Sequence, residues 1–268
     1  MEIKEQKKIK IGIVLSGGGI RGVAHLGVLK AFNNAGIFFD YVSGASAGSI
    51  AGAFYAGGID PEDGLKIFAK TKLWKFIRPA LGSLGLINIE RTANIFKDYF
   101  PEDRIEKLKI PLIITAVNFS AGKIVYFEKG PLIQSVLASS CIPGIFKPIN
   151  INNEMYVDGG VLNNFPVEPL INKCDFIIGS SCNHLNAVEK ISGITNLLIR
   201  AATMSINHDM EQKATLCDVL IEPKGLGEIH TFDLKKAETV YWLAYEETLK
   251  TIQQNEKLQD LIKKLKAE

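Results

Sequence analysis

The chain has little of what would tie it to a metal, an oxidising compartment or a polyanion. Its four cysteines, Cys141, Cys174, Cys182 and Cys217, form no C-x-x-C pair, which excludes a zinc ribbon and leaves no disulfide framework to read. They are expected to act as small buried hydrophobes in a reducing, cytoplasmic setting. Charge of one sign is missing too: 31 basic and 29 acidic residues leave a net +2, so no electrostatic footprint for nucleic acid is present and none is expected as a partner. No Pro/Gly/Ser-rich linker or repeat divides the sequence, which predicts a single domain over residues 1–268. The apolar run Ile11 to Leu15, behind Lys4, Lys7, Lys8 and Lys10, stops at glycines and is too short for the core of a signal peptide.

What is present is a long uncharged stretch, residues 41 to 59, containing "YVSGASAGSIAGAFYAGG". Its length is close to that of a membrane span, about 20 residues. Its composition is not, because Val42, Ile50, Phe54 and Ile59 are the large aliphatic or Phe groups among many Gly, Ala and Ser. A close-packed helix in a protein core is the better reading.

Around it the apolar pattern alternates between strand and helix. "KIKIGIVLSGGG" predicts a buried strand, Ile9 to Leu15, ending at a triple glycine; a helix follows from about Gly22 to Asn34 and stops at Gly36. "FFDYVSG" predicts a second strand that runs into a small-residue helix ending at Ala56, closed by Gly57 and Gly58. Asp60 and Pro61 have the types of an N-cap and first helical residue. Further strands are predicted in "IPLIITAVNF", "KIVYFEKG", "DFIIGSSCN" and "CDVLIEP", and the chain from about Phe232 to Ala267 looks helical. Such alternation predicts an α/β fold with a mostly parallel sheet.

Three stretches carry chemistry. Gly44, Ser46 and Gly48 form G-x-S-x-G where strand meets helix, a bend that can expose a serine hydroxyl and turn free helix N–H groups towards it. On its own the pattern also suits a serine helix cap. One strand upstream, "SGGGIRG" offers Gly17, Gly18 and Gly19 as a nest of N–H donors, with Arg21 as a fixed positive charge. The same loop satisfies G-x-G-x-x-G, but a dinucleotide site also wants an acid at the end of the second strand; Asp40 precedes that strand and Ser46 occupies its exit. In "MYVDGGVLNNFP", Asp158 enters a Gly-Gly turn; it reads either as a turn-forming Asx residue or as a base made stronger by burial.

Taken in order, S-G-G-G-I-R-G, G-A-S-A-G and D-G-G resemble the patatin-like phospholipase family, and "ASSCIPGIFKPI" is similar to that family's A-S-x-x-x-P-x-x-F-x-P segment. The resemblance covers about Ile11 to Pro169, within a motif-bearing core of about 9–170. It implies a three-layer αβα sandwich and a Ser/Asp dyad that hydrolyses acyl esters of lipids without histidine. Ser46 would be the nucleophile and Asp158 the base, with Gly17, Gly18 and Gly19, supported by Arg21, forming the oxyanion hole. No metal or organic cofactor is implied, and the partner is a lipid or acyl-ester substrate.

Alternatives remain at this level. His184, His208 and His230 follow Asp158, so chain order permits an α/β-hydrolase triad, although the serine stands after only two strands. An acyltransferase sharing the elbow and a non-catalytic lipid-binding protein are further readings. His25 reads as a structural hydrogen-bonder. The segment Lys72 to Phe100 reads as a lid over an acyl pocket or as ordinary packing. In "KLQDLIKKLKAE" an apolar face of Leu258, Leu261, Ile262 and Leu265 is ringed by lysines, which suits docking on the core or a peripheral, reversible membrane contact.

Overall fold

The computed structural model describes residues 8–70, 78–79, 85–88, 92–184, 191–229 and 234–267. The strands, in chain order, are β1 (Ile11–Leu15), β2 (Tyr41–Ala45), β3 (Arg78–Pro79), β4 (Gly85–Asn88), β5 (Leu112–Asn118), β6 (Lys123–Phe127), β7 (Gly144–Phe146), β8 (Ile149–Ile151), β9 (Glu154–Asp158), β10 (Phe176–Ser180) and β11 (Val219–Ile221). The helices are α1 (Ala24–Asn34), α2 (Ala47–Ala56), α3 (Pro61–Lys70), α4 (Ala93–Lys97), α5 (Leu132–Ser139), α6 (Ile194–Ile206), α7 (Met210–Ala214), α8 (Ala237–Gln254) and α9 (Glu256–Leu265).

The main sheet runs β11-β10-β1-β2-β5-β9-β8, with β6 on the other edge of β5. The strands from β11 to β5 are parallel; β6, β8 and β9 run antiparallel to their neighbours. The expected α/β fold with helices flanking a central sheet is therefore present, and its antiparallel part is confined to one side. Side-chain alternation along each strand divides the core. Ile11, Ile13 and Leu15 of β1 join Leu112 and Ile114 of β5 under α1, α2, α5 and α8, while Val14, Ile113 and Ile177 meet Phe165, Val167 and Leu170 on the opposite face. The first cluster is much the larger, because α8 lies along α1: the Tyr241 carbonyl sits where a side chain on Gly27 would be, 2.2 Å from its ideal Cβ.

Several boundaries differ from the sequence pattern. The second strand starts at Tyr41 because Asp40 is a lock at its entrance: its Oδ2 accepts the Ile11 N–H at 2.9 Å, and Phe38 is exposed. The glycine loop passes through a 3-10 turn at Gly19–Val23 before α1 begins. The C-terminal helix breaks at Asn255, whose side chain accepts the Leu258 N–H and starts α9. Leu258 and Leu261 are buried in the core, so that stripe is already covered by protein. About half of the segment Lys72 to Phe100 lies outside the described residues; at its end, Phe96 and Phe100 stack on Phe54 of α2 as core groups. Among the described residues no helix is long and apolar enough to cross a membrane.

Candidate active site

The first chemical element is built by the sheet order. β1, β2 and β10 end side by side, with Leu15 opposite both Gly44 and Ser180. The chain runs from β1 to β2 and β5 in one direction, while β10 and β11 lie on the other side of β1. Such a reversal leaves a crevice at the carboxyl ends of parallel strands, where α/β proteins place their ligands. The glycine loop leaves β1 into that crevice.

Ser46 stands at the adjoining bend with φ 51° and ψ −123°, a left-handed conformation that costs a non-glycine residue about 1–3 kcal/mol. Its neighbours explain how the bend closes. An ideal Cβ on Gly44 would lie 2.7 Å from the Gly48 carbonyl carbon, and one on Gly48 would lie 2.2 Å from the Leu15 carbonyl oxygen. Both glycines are required by backbone contact, so Gly48→Ala must push α2 away from β1. We expect that variant to lose about 2–4 kcal/mol of stability and at least about tenfold in activity, read from urea melts and ester turnover.

The second element arrives from the opposite direction. On one edge of β5, Ala45 of β2 pairs with Thr115, and on the next residue Ala116 pairs with Asp158 of β9. β2 runs parallel to β5 and β9 antiparallel, so the two strands meet end to end at this fork. Ser46 Oγ donates to Asp158 Oδ2 at 2.6 Å, and both residues are buried. The other carboxylate oxygen, Oδ1, accepts the Gly160 N–H at 2.7 Å. One carboxylate oxygen thus holds the turn and the other receives the Ser46 hydroxyl. Burial pushes the Asp158 carboxyl up to about 6, against the lowering effect of its hydrogen bonds from Ser46 and Gly160; a carboxylate in that range is a competent proton acceptor near neutral pH.

In the glycine loop, an ideal Cβ on Gly17 would lie 3.1 Å from Ser46 Cβ and 2.3 Å from Asn164 Oδ1. The loop is therefore beside Ser46. The Gly17 N–H is committed to the Asn164 carbonyl at 3.1 Å, which leaves Gly18 and Gly19 as the loop's candidates for donating to a ligand. Arg21 is buried and directed to Asn183: its Nη2 donates to Asn183 Oδ1 at 3.2 Å, and the Asn183 amide donates to the Gly17 carbonyl. Arg21 thereby braces the loop from behind. The N–H of Ala47, the first residue of α2, follows Ser46 directly, and in enzymes with a nucleophilic serine at such an elbow that position commonly completes an oxyanion hole.

No described histidine reaches the pair. His25 Nε2 donates to the Ser16 carbonyl at 2.8 Å and its Nδ1 accepts the Ser180 hydroxyl at 2.8 Å; burial lowers its pKa to about 4, so it stays neutral. His184 pairs with Glu222 at 3.0 Å, and His208 Nδ1 bonds the Ser205 carbonyl. His230 lies outside the described residues. None of the four cysteines is in a disulfide, and among the described residues no group of His, Cys, Asp and Glu is arranged to hold a metal. The dinucleotide reading fails on geometry, since Asp40 is occupied at the entrance of β2 by the Ile11 amide and Lys8. Sequence reasoning assigned no role to Ser139, the serine of the A-S-x-x-x-P segment, to Asn164 in the stretch after Asp158, or to Asn183, because their partners are distant in the chain.

Known proteins resemble this chain in sequence and in fold. The model of a family described as patatin-like phospholipase matches residues 13–171. An uncharacterized NTE family protein of Mycobacterium tuberculosis is 28% identical over 186 residues, covering 68% of this chain and 52% of that protein. Lysophospholipase NTE1 of Cryptococcus neoformans is 30% identical over 171 residues, covering 60% of this chain and 10% of that protein. The chain thus spans about half the length of that mycobacterial relative. Among solved structures, VipD from Legionella pneumophila superposes with a TM-score of 0.62 at 15% identity, covering 91% of this chain and 67% of that one.

Proposed function

This chain belongs to the patatin-like phospholipase family, and on that premise we propose that it is a serine acyl hydrolase acting on carboxylic esters of phospholipids, lysophospholipids or related lipids. The observation that carries the reading is the 2.6 Å hydrogen bond from Ser46 Oγ to Asp158 Oδ2. Ser46 Oγ attacks the ester carbonyl while its proton passes to Asp158. The tetrahedral oxyanion is met by the Gly18 and Gly19 amides, with Ala47 N–H at the start of α2. Asp158 then returns the proton to the departing alcohol or lysolipid, leaving an acyl group on Ser46. A water then gives a proton to Asp158 as it attacks the acyl carbonyl, the bond from the acyl group to Ser46 Oγ breaks as Oγ takes that proton from Asp158, and the fatty acid leaves with the dyad restored.

A lipid-like substrate suits the surroundings. Val161 and Leu162, only three and four residues beyond Asp158, are exposed apolar groups, and the dyad itself is screened from water. The relative named a lysophospholipase supports the same substrate class.

Fatty acid release from phosphatidylcholine, lysophosphatidylcholine and a neutral diacylglycerol, followed with purified protein, tests this reading. Hydrolysis of at least one of them is expected; a protein inert on all three and on short nitrophenyl esters would contradict it. The same assay distinguishes dyad from triad. His184→Ala, His208→Ala and His230→Ala should each keep kcat/KM within about threefold. His25→Ala should cost about 1–3 kcal/mol of stability through its two buried hydrogen bonds while the folded fraction stays active. A folded histidine variant as inactive as Ser46→Ala would establish a triad.

A further inference from the structure

The rung that joins the nucleophile's strand to β5 is not made by backbone alone. Val42 N–H donates to the Pro111 carbonyl at 3.0 Å, with Val42 opposite Leu112 and Ala45 opposite Thr115. A parallel ladder repeats every two residues on both strands, so its next donors fall on Gly44, towards Ile113, and on Ser46, towards Thr115. At Ser46 the direct bond is replaced. Ser46 N–H donates to Ser139 Oγ at 2.8 Å, and Ser139 Oγ donates to the Thr115 carbonyl at 2.6 Å.

We propose that Ser139 is a positioning residue for the hydrolase: its hydroxyl, spliced into the β2–β5 ladder between the Ser46 amide and the Thr115 carbonyl, holds the nucleophile at hydrogen-bonding distance from Asp158. This rests on the hydrolase reading of Ser46 and Asp158 and extends it to a third side chain.

The direction of both bonds is fixed by chemistry. An amide N–H can only donate and a carbonyl can only accept, so the single Ser139 proton goes to Thr115 and a lone pair faces Ser46. Ser139 therefore has no proton to relay to Ser46 Oγ and cannot serve as a second nucleophile in this arrangement. Its place is set from elsewhere in the fold, at the C-terminal end of α5, with no exposed surface. A hydroxyl between two backbone groups separates β2 from β5 at the residue where β2 must leave the sheet. The following residue of β5, Ala116, receives Asp158. The spacer thus stands where the two strand ends meet, and it supplies a fixed partner to a serine whose φ of 51° would otherwise relax.

Ser139→Ala removes both bonds and leaves a strained serine with an unpaired amide. On a short-chain nitrophenyl ester we expect kcat to fall about 10- to 100-fold with KM changed by less than about threefold. The acid limb of the pH–rate profile should also move to higher pH, because the Ser46 hydrogen bond is one of the two interactions that hold the Asp158 pKa down. A loss of folded protein would scale kcat without moving that limb. Ser139→Thr keeps the hydroxyl and should return the limb to its wild-type position.

A folded Ser139→Ala with wild-type kcat, a reduced kcat with an unmoved limb, or a limb still displaced in folded Ser139→Thr would each overturn the proposal. If Ser139→Ala does not fold, as read by near-ultraviolet dichroism, Ser139→Cys carries the same measurement, since a thiol is a weaker partner at both bonds and should displace the limb in the same direction. Ser46→Ala run in parallel separates the layers: normal turnover by Ser46→Ala removes the hydrolase reading, whereas an inert Ser46→Ala beside a normal Ser139→Ala removes only the role of Ser139.

Discussion

Replacing Ser46 by alanine is expected to abolish ester hydrolysis, lowering kcat by about 10⁴- to 10⁶-fold, while the fold and the affinity for lipid are retained. The size follows from what the side chain does. In the proposed mechanism its oxygen bonds to the acyl group, and removing a serine nucleophile in comparable hydrolases leaves only the rate supplied by oxyanion donors and binding. Stability should change little, because alanine accepts the Ser139-anchored backbone and the lost hydroxyl satisfied only one oxygen of Asp158. Steady-state turnover beside a thermal melt reads both effects. A variant that retains a hundredth of wild-type turnover would show that Ser46 does not carry the reaction.

Asp158→Asn is expected to separate activity from stability. Asparagine has nearly the same shape and can donate to Ser46 Oγ, but it cannot take the proton, so kcat should fall about 10³- to 10⁴-fold. The wild-type pH–rate profile should rise through about pH 6, where Asp158 becomes a carboxylate, and the residual activity of the variant should lack that limb. Stability moves the other way. The folded-state pKa of Asp158 lies above its ordinary value of 3.8, so the stability lent by its protonated form is complete below that value and is lost as the pH rises through about 6. At pH 7.5 the buried carboxylate costs on the order of 2–3 kcal/mol. Asp158→Asn, neutral at all pH, should therefore unfold at a higher urea concentration than wild type at pH 7.5 and at nearly the same concentration near pH 3.5. A variant that is less stable at pH 7.5 would mean that the carboxylate is held by interactions stronger than its desolvation.

The parts of the site that could be read beforehand are those written in backbone conformation. Gly44 and Gly48 mark a bend where strand and helix backbones touch, and Gly159 marks a turn whose ideal Cβ would lie 2.2 Å from the Thr115 carbonyl; close contacts of this kind leave glycine in the sequence at fixed spacing. The strands β1, β2, β5 and β10 were likewise visible as apolar runs, since their burial on both faces demands them, whereas β6, whose residues are exposed or half-buried, showed only through its β-branched and aromatic residues. The antiparallel placement of β9 was not, because nothing local to "MYVDGG" says which edge of β5 it will join.

Arg21 illustrates the limit from another side. Its position in S-G-G-G-I-R-G suggested a charge beside the reacting centre, yet the guanidinium is turned to Asn183, contributed by the chain after β10. Asn164 and Asn183 are ordinary polar residues until the sheet order brings them to the loop, and Ser139, although it is the serine of the A-S-x-x-x-P segment, shows no role until it meets the elbow. The apolar face of α9 had two physical outcomes, lipid or core, and the closeness of α9 to the base of α8 decided it for Leu258 and Leu261.

The most direct measurement of the dyad is the reaction with a fluorophosphonate followed by peptide mass spectrometry. The serine-nucleophile account predicts a single adduct on Ser46, formed rapidly by the wild type, formed at a small fraction of that rate by Asp158→Asn, and unaffected by His184→Ala or His208→Ala. An adduct on another residue, or a Ser46 that stays unmodified in protein that hydrolyses lipid, would contradict it.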